Sequence, residues 1–282
     1  MAIDYEAEYN NRARVPELPQ ILERWIKASA DYRDATARSG RAELGLAYGN
    51  SDRQFVDIFN VSDERAPVAL FIHGGFWRLH EPRQFSFMAR GLNAHGVAVA
   101  IAGFDLCPRV TIAQIVEQIR ATCLFLWKRR GKRVMIFGHS AGGHAAAAML
   151  ATDWPALHPG APADLVPAGY SISGLFDLAP LIGIPMNADL RLDEKSARAV
   201  SPVFWPAPSG RVLDSVVGGI ESNEFLRQAR LIIDGWQPAG VQMRHEAVPG
   251  KNHFTVLELA SEPDSAMTAR LAELCRYTDE RR

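Results

Sequence analysis

The stretch Gly138-His139-Ser140-Ala141-Gly142 sets a small hydroxyl between two glycines, where the apolar run Val134–Phe137 gives way to the alanine-rich GHAAAAML. A serine in G-x-S-x-G spacing between a strand and a helix is lifted out of a sharp turn, and larger neighbours would crowd the helix that follows. A hydroxyl is a weak nucleophile at neutral pH. It needs a base within hydrogen-bond reach and a carboxylate to orient that base. In this strand–turn–helix setting the partners follow in the order serine, acid, histidine. The competing reading is a chance motif in a glycine-rich loop; the strand before Ser140 and the helix after it weigh against that.

Of the eight histidines, only His245 and His253 lie in the C-terminal region. His245 falls inside the strand-like VQMRHEAV. His253 follows a strand and a Pro-Gly turn in VPGKNHF, where a loop can carry it back over a sheet, so it is the expected base. For the acid, Glu221 follows Gly218-Gly219 at the tip of a strand and is preferred. Asp177, after the preceding strand, is a rival that could equally cap the next turn. Asp214 lies within a strand and is the weakest candidate. Acyl transfer also needs donors for a developing oxyanion. His73-Gly74-Gly75, directly after Val68–Ile72, is placed for such a loop, with the amides of Gly75, Phe76 and Ala141 as the expected donors. His73 itself precedes the serine and is read as a brace for the loop.

These groups need a scaffold. Val68–Ile72, Val97–Ile101 and Val134–Phe137 are short apolar runs without alternation, as expected of strands covered on both faces in a parallel sheet. QFVDIF, AGYSI, RVLDSVVGG and VQMRHEAV are further strand candidates. Helices are expected at about 15–38, from Ile112 to a stop at Gly131, in SNEFLRQARLIIDGW and in DSAMTARLAELCRY. Strands alternating with helices predict an α/β fold with a mostly parallel, doubly wound sheet. A single domain over 1–282 is expected, with a cap or loop region at about 178–208 that holds a short helix near 189–200.

Of the 282 residues 48% are hydrophobic and 22% charged, ordinary for a globular domain. A formal net charge of −1 gives no reason to expect nucleic acid or an anionic membrane as partner. The apolar runs are strand-sized, and the acidic, polar start has no signal-like segment, so a cytoplasmic protein acting on a small molecule is expected. Cys107, Cys123 and Cys275 are widely spaced and read as reduced, mostly buried thiols. No histidine–carboxylate cluster has ligand spacing, so no metal is expected. Acyl transfer to water needs no cofactor. Association with further copies is left open.

Together HGGFW, GHSAGGH, VVGGIES and GKNHF resemble the α/β-hydrolase superfamily, particularly the kynurenine formamidase (arylformamidase) group near the hormone-sensitive-lipase-type esterases. The N-terminal DYEAEYNNRARVPE resembles the opening of bacterial members, and the likeness runs from about Tyr5 to Phe254. The resemblance implies Ser140 as nucleophile, His253 as base and Glu221 as acid, where many relatives carry aspartate. It also implies Phe76 in place of a third glycine after His-Gly-Gly. The activity it implies is hydrolysis of an aryl formamide through an acyl-enzyme, with Phe76 and Trp77 stacking on an aromatic leaving group; core packing beneath the loop is the other reading of Trp77. A short-chain carboxylesterase or other small amide or carbamate hydrolase would use the same machinery. A non-catalytic binding protein on this scaffold would lack a member of the triad.

Overall fold

The computed structural model describes residues 3–60 and 62–281. Eight strands form one sheet: β1 (Ala42–Ala47), β2 (Phe55–Phe59), β3 (Val68–Ile72), β4 (Ala98–Ala102), β5 (Val134–His139), β6 (Ala168–Ile172), β7 (Val212–Gly218) and β8 (Gln242–Val248). Their spatial order is β1-β2-β4-β3-β5-β6-β7-β8. The two pairings made by β2 are antiparallel, and all others are parallel. This is the α/β-hydrolase fold.

The central strands are apolar throughout because both faces are covered. In β3, Leu70 and Ile72 enter one core while Ala69 and Phe71 enter the other. In β5, Ile136 and Phe137 divide the same way. The first core is closed by the helices Ile112–Arg130, Ala141–Leu150 and Asn223–Trp236, and the second by Leu18–Arg38 and Ala266–Glu280. Local signals bound these helices well. Thr111 and Gln114 form a reciprocal capping box at the start of Ile112–Arg130, worth about 1 kcal/mol, and Gly131 ends that helix at φ 66°. Among the described residues no helix is long and apolar enough to cross a membrane.

Three features differ from the sequence expectation. Strand β1 was not anticipated: AELGLA holds a glycine, alternates only weakly, and has an irregular register between Glu43 and Leu46. It is held by buried Asp57 of β2, which accepts from Gly45 N at 2.7 Å and binds Arg33 of the helix Leu18–Arg38. The N-terminal helix begins at Leu18 rather than near residue 15, and two short helices, Tyr5–Tyr9 and Asn11–Arg14, precede it. Region 178–208 holds two short α-helices, Asn187–Leu190 and Glu194–Ala199, and two 3-10 turns, Ala179–Leu181 and Pro202–Phe204, and buries Leu178, Leu181, Leu190 and Ala197 in the first core.

Candidate active site

Four segments leave the carboxyl ends of parallel strands and meet at one place, where an open α/β sheet builds its ligand crevice. Ser140 follows β5, Glu221 and His253 follow β7 and β8, and Gly74-Gly75 follows β3. Ser140 has φ 56° and ψ −116°, a strained conformation for a residue with a side chain, of the kind stored at functional sites. The turn is fixed from both sides. Ser140 N donates to Ile172 O at 2.8 Å, and Gly143 N donates to Ser140 O at 2.8 Å. A Cβ on Gly138 would fall on the backbone of Gly142, and one on Gly142 would fall on the carbonyl of Ile72. The flanking glycines are therefore required by close approach. The Ser140 hydroxyl that results is 1% exposed and has no hydrogen-bond partner among the described residues.

His253 Nδ1 donates to Glu221 Oε2 at 2.6 Å, which fixes the tautomer and leaves Nε2 as the ring's second nitrogen. Glu221 Oε1 accepts from Ser173 Oγ at 2.5 Å and from Gly218 N at 2.6 Å. Both carboxylate oxygens are thus held, and the acid cannot swing away. The imidazole lies between the rings of His139 and Phe225, with centroids 4.6 and 4.5 Å away. The rival acids are engaged elsewhere. Asp214 forms a bidentate pair with Arg270 at 2.7 and 3.1 Å, and Asp177 caps Ala179 N at 3.1 Å. His245 donates to Ser215 O at 3.1 Å, and it is not a wall residue of the cavity that holds Ser140 and His253.

The loop after β3 supplies backbone donors. Gly74 lies against Ser140: a Cβ there would meet Ser140 Cβ and His139 O at 2.9 Å. Gly75, Phe76 and Trp77 then have φ of 109°, 48° and 56°, three consecutive residues in the left-handed region. Among the described residues the N–H groups of Gly75, Phe76 and Ala141 donate to no acceptor. Ala141 is the first residue of its helix, where unsatisfied N–H groups and the positive dipole end favour an anion.

A cavity of about 400 Å³ opens over Ser140, His253, Gly74 and Gly75. Its aromatic surface comes from Tyr9, Trp25, Phe76, Phe85 and Phe254. Trp77, expected to touch substrate, does not line it. That ring is 2% exposed, belongs to the first core, and meets His144 edge-on at 5.1 Å. The Trp77 side chain packs into the core beneath the loop, while its neighbour Phe76 lines the cavity. Trp25 was legible only as part of a helical apolar stripe. From the region expected to act as cap, Pro185 and Met186 reach the cavity. Glu6, Tyr9, Asn10, Asn11 and Arg12 also line it, so an N-terminal strap forms much of the cover. The buried Tyr9 latches this strap: its hydroxyl donates to Glu224 Oε2 at 2.9 Å and accepts from Gln228 Nε2 at 2.9 Å. No local signal announces this, because the partners lie more than 200 residues apart.

Burial keeps the surrounding imidazoles neutral. His73, stacked between Phe85 and Phe104, has its pKa pushed down to about 3, and His144 to about 4. His139 lies well below the ordinary histidine range, first through burial and then through the neighbouring His253. His73 Nδ1 donates to Gly74 O at 2.7 Å and so braces the donor loop. Among the described residues no group of three or more His, Cys, Asp or Glu could hold a metal ion, and Cys107, Cys123 and Cys275 are free and buried.

A serine on a strained elbow, a histidine with its carboxylate and a glycine-built donor loop, all at the carboxyl edge of this sheet, mark the α/β-hydrolase superfamily, and the chain belongs to it. Within the superfamily it is kynurenine formamidase-like. It is 26% identical over 241 residues to the kynurenine formamidase of Salmo salar, covering 82% of this chain and 81% of that one. To the kynurenine formamidase of Drosophila melanogaster it is 27% identical over an alignment of 291 positions, covering 96% of this chain and 95% of that one. The crystal structure of a Silicibacter protein, provisionally assigned as a thioesterase, superposes with a TM-score of 0.85 at 32% identity, over 95% of this chain and 98% of that one. No family model matches the chain.

Proposed function

We propose that the protein is a serine hydrolase that cleaves an aryl formamide, such as N-formylkynurenine, through a formyl-enzyme. Likeness to the kynurenine formamidases supports hydrolysis of a formamide or ester bond. The observation that carries the serine mechanism is the Glu221–His253 pair at 2.6 Å, with His253 and the unpartnered Ser140 hydroxyl on one cavity wall.

As substrate binds, Ser140 Oγ–H closes on His253 Nε2; such bonds commonly tighten only in the Michaelis complex. Oγ attacks the formyl carbon and its proton passes to Nε2. The amides of Gly75, Phe76 and Ala141 receive the oxyanion, the term on which such catalysis depends most. Collapse breaks the C–N bond, and the imidazolium gives its proton to the departing aryl amine. Water, deprotonated by His253, then attacks the formyl ester, releasing formate and restoring Ser140. Glu221 stays ionised throughout and steadies the imidazolium.

The aromatic wall of Trp25, Phe76, Phe85 and Phe254 supports an aryl leaving group, since offset or edge-on ring contacts add about 0.5–1.5 kcal/mol beyond burial. Gly74, pressed against Ser140, supports a small acyl group. The test is a hydrolysis panel of N-formylkynurenine, formanilides, acetyl esters, longer acyl esters and an acyl thioester. Highest kcat/KM on the formyl-aryl amides is expected. Turnover of p-nitrophenyl esters with N-formylkynurenine untouched would contradict the formamide reading.

A further inference from the structure

The strap carries polar groups for which the proposed chemistry has no use. Asn11 is 5% exposed, and its Nδ2 has no hydrogen-bond partner among the described residues. It lines the active-site cavity and also a second cavity of about 260 Å³, which shares Asn11 and His253 with the first. A buried donor left unmatched costs about 1–3 kcal/mol, so its retention on a cavity wall points to an acceptor that arrives with a ligand. Arg12, the next residue, lines the same cavity and forms no ion pair among the described residues. The other arginine on the wall, Arg78, is bound to Asp189. His80, also on the wall, is pushed below its ordinary value chiefly by burial and in part by the Arg12 charge, so that charge is felt inside the cavity. Glu6 is the only carboxylate among the described wall residues and forms no ion pair among the described residues; its oxygen accepts from Asn10 Nδ2 at 3.3 Å. It disfavours a ligand with a second negative group.

We infer that Asn11 and Arg12 form an anion-reading subsite of the active-site cavity, so that the preferred leaving group carries a single carboxylate. The guanidinium of Arg12 takes the carboxylate, and Asn11 Nδ2–H donates to one of its oxygens. This rests on the hydrolase reading of the same site, and it makes the N-terminal strap the specificity element.

The test compares two substrate pairs: formanilide with a ring-carboxylated formanilide, and phenyl acetate with carboxyphenyl acetate. For Arg12→Gln, the ratio of kcat/KM for the charged over the neutral member falls about tenfold, mainly through KM. Arg12→Lys recovers part of the ratio, and Asn11→Ala lowers it in the same direction. In the unaltered protein the ratio shrinks as salt is raised, because the Arg12 end is solvent-facing. An enzyme that cleaves the acetates but neither formanilide refutes the formamide reading, while the acetate pair still decides the role of Arg12. A ratio unchanged by Arg12→Gln in every cleaved pair would overturn the subsite.

Discussion

His139 Nε2 donates to the main-chain carbonyl of His253 across 2.7 Å, so the residue before Ser140 holds the loop that carries His253. Because a carbonyl only accepts, His139 carries a proton on Nε2, and burial, which lowers its pKa strongly, keeps the ring neutral. The elbow and the loop after β8 are thereby tied into one unit. His139→Ala should lower kcat about 10–100-fold with a smaller change in KM, since small misplacements of a base are costly. Steady-state kinetics on the best panel substrate checks this; an unchanged kcat would show that His253 is positioned by other contacts.

Glu221→Gln keeps the shape of the acid and loses its charge. A drop in kcat of about 10³–10⁴-fold is expected, because the imidazole loses its fixed tautomer and the imidazolium its counter-charge. Ser173→Ala removes only the 2.5 Å bond to Glu221 Oε1, while Gly218 N still holds that oxygen, so a fall of less than about tenfold is expected. Equal losses in the two variants would argue against Glu221 as the orienting acid.

Gly74→Ala would place a methyl 2.9 Å from both Ser140 Cβ and His139 O. Neither atom can yield without moving the elbow. A loss of activity of at least about 10²-fold is expected, as when an oxyanion donor is displaced. Circular dichroism and thermal melting separate this from unfolding. Full activity in a folded variant would remove the β3 loop from the mechanism.

Three imidazoles buried in neutral form make stability depend on pH. For His73 and His144 the folded values of about 3 and 4 lie below the ordinary value of 6.5, and His139 is shifted in the same direction. The unfolded chain therefore binds more protons, and stability falls as pH drops through 6.5 toward the folded values. Between pH 6.5 and 5, His73 and His144 should each remove about 1–2 kcal/mol, and His139 adds to the loss in the same direction. Urea midpoints across that window test the slope. Stability that is flat or rising on acidification would mean these rings are hydrated and able to charge.

Tyr9→Phe cuts the latch of the strap, leaving Glu224 Oε2 and Gln228 Nε2 each short of one bond. A loss of about 1–2 kcal/mol of stability and a raised KM are expected, with kcat little altered. Hydrogen exchange at residues 5–14 reports the opening directly. Unchanged exchange there would show that the strap is held by its other contacts.

Much of the fold could be read from the chain because its central strands are covered on both faces. Apolar runs such as Val68–Ile72 announce themselves without alternation, and Val97–Ile101 differs from the observed Ala98–Ala102 by one residue. The edge strand β1 gave a weak signal, since one irregular, half-exposed strand is stabilised by Asp57 and Arg33 rather than by its own pattern. At the site, the positions of Ser140, Glu221 and His253 follow from strand ends and chain order. The roles of aromatic residues do not follow from sequence: Trp77 and Trp25 are both buried, and only the direction of the backbone decides which of them faces the cavity. The strap could not be anticipated, because its latch joins Tyr9 to residues 224 and 228.

The most direct measurement is the mass of the intact protein after exposure to a fluorophosphonate, with the adduct mapped by peptide fragmentation. The prediction is one adduct per chain, on Ser140, absent in Ser140→Ala and formed at least about 10³-fold more slowly in a folded His253→Ala variant. An adduct on another residue, or labelling of Ser140→Ala at the unaltered rate, would contradict Ser140 as the nucleophile.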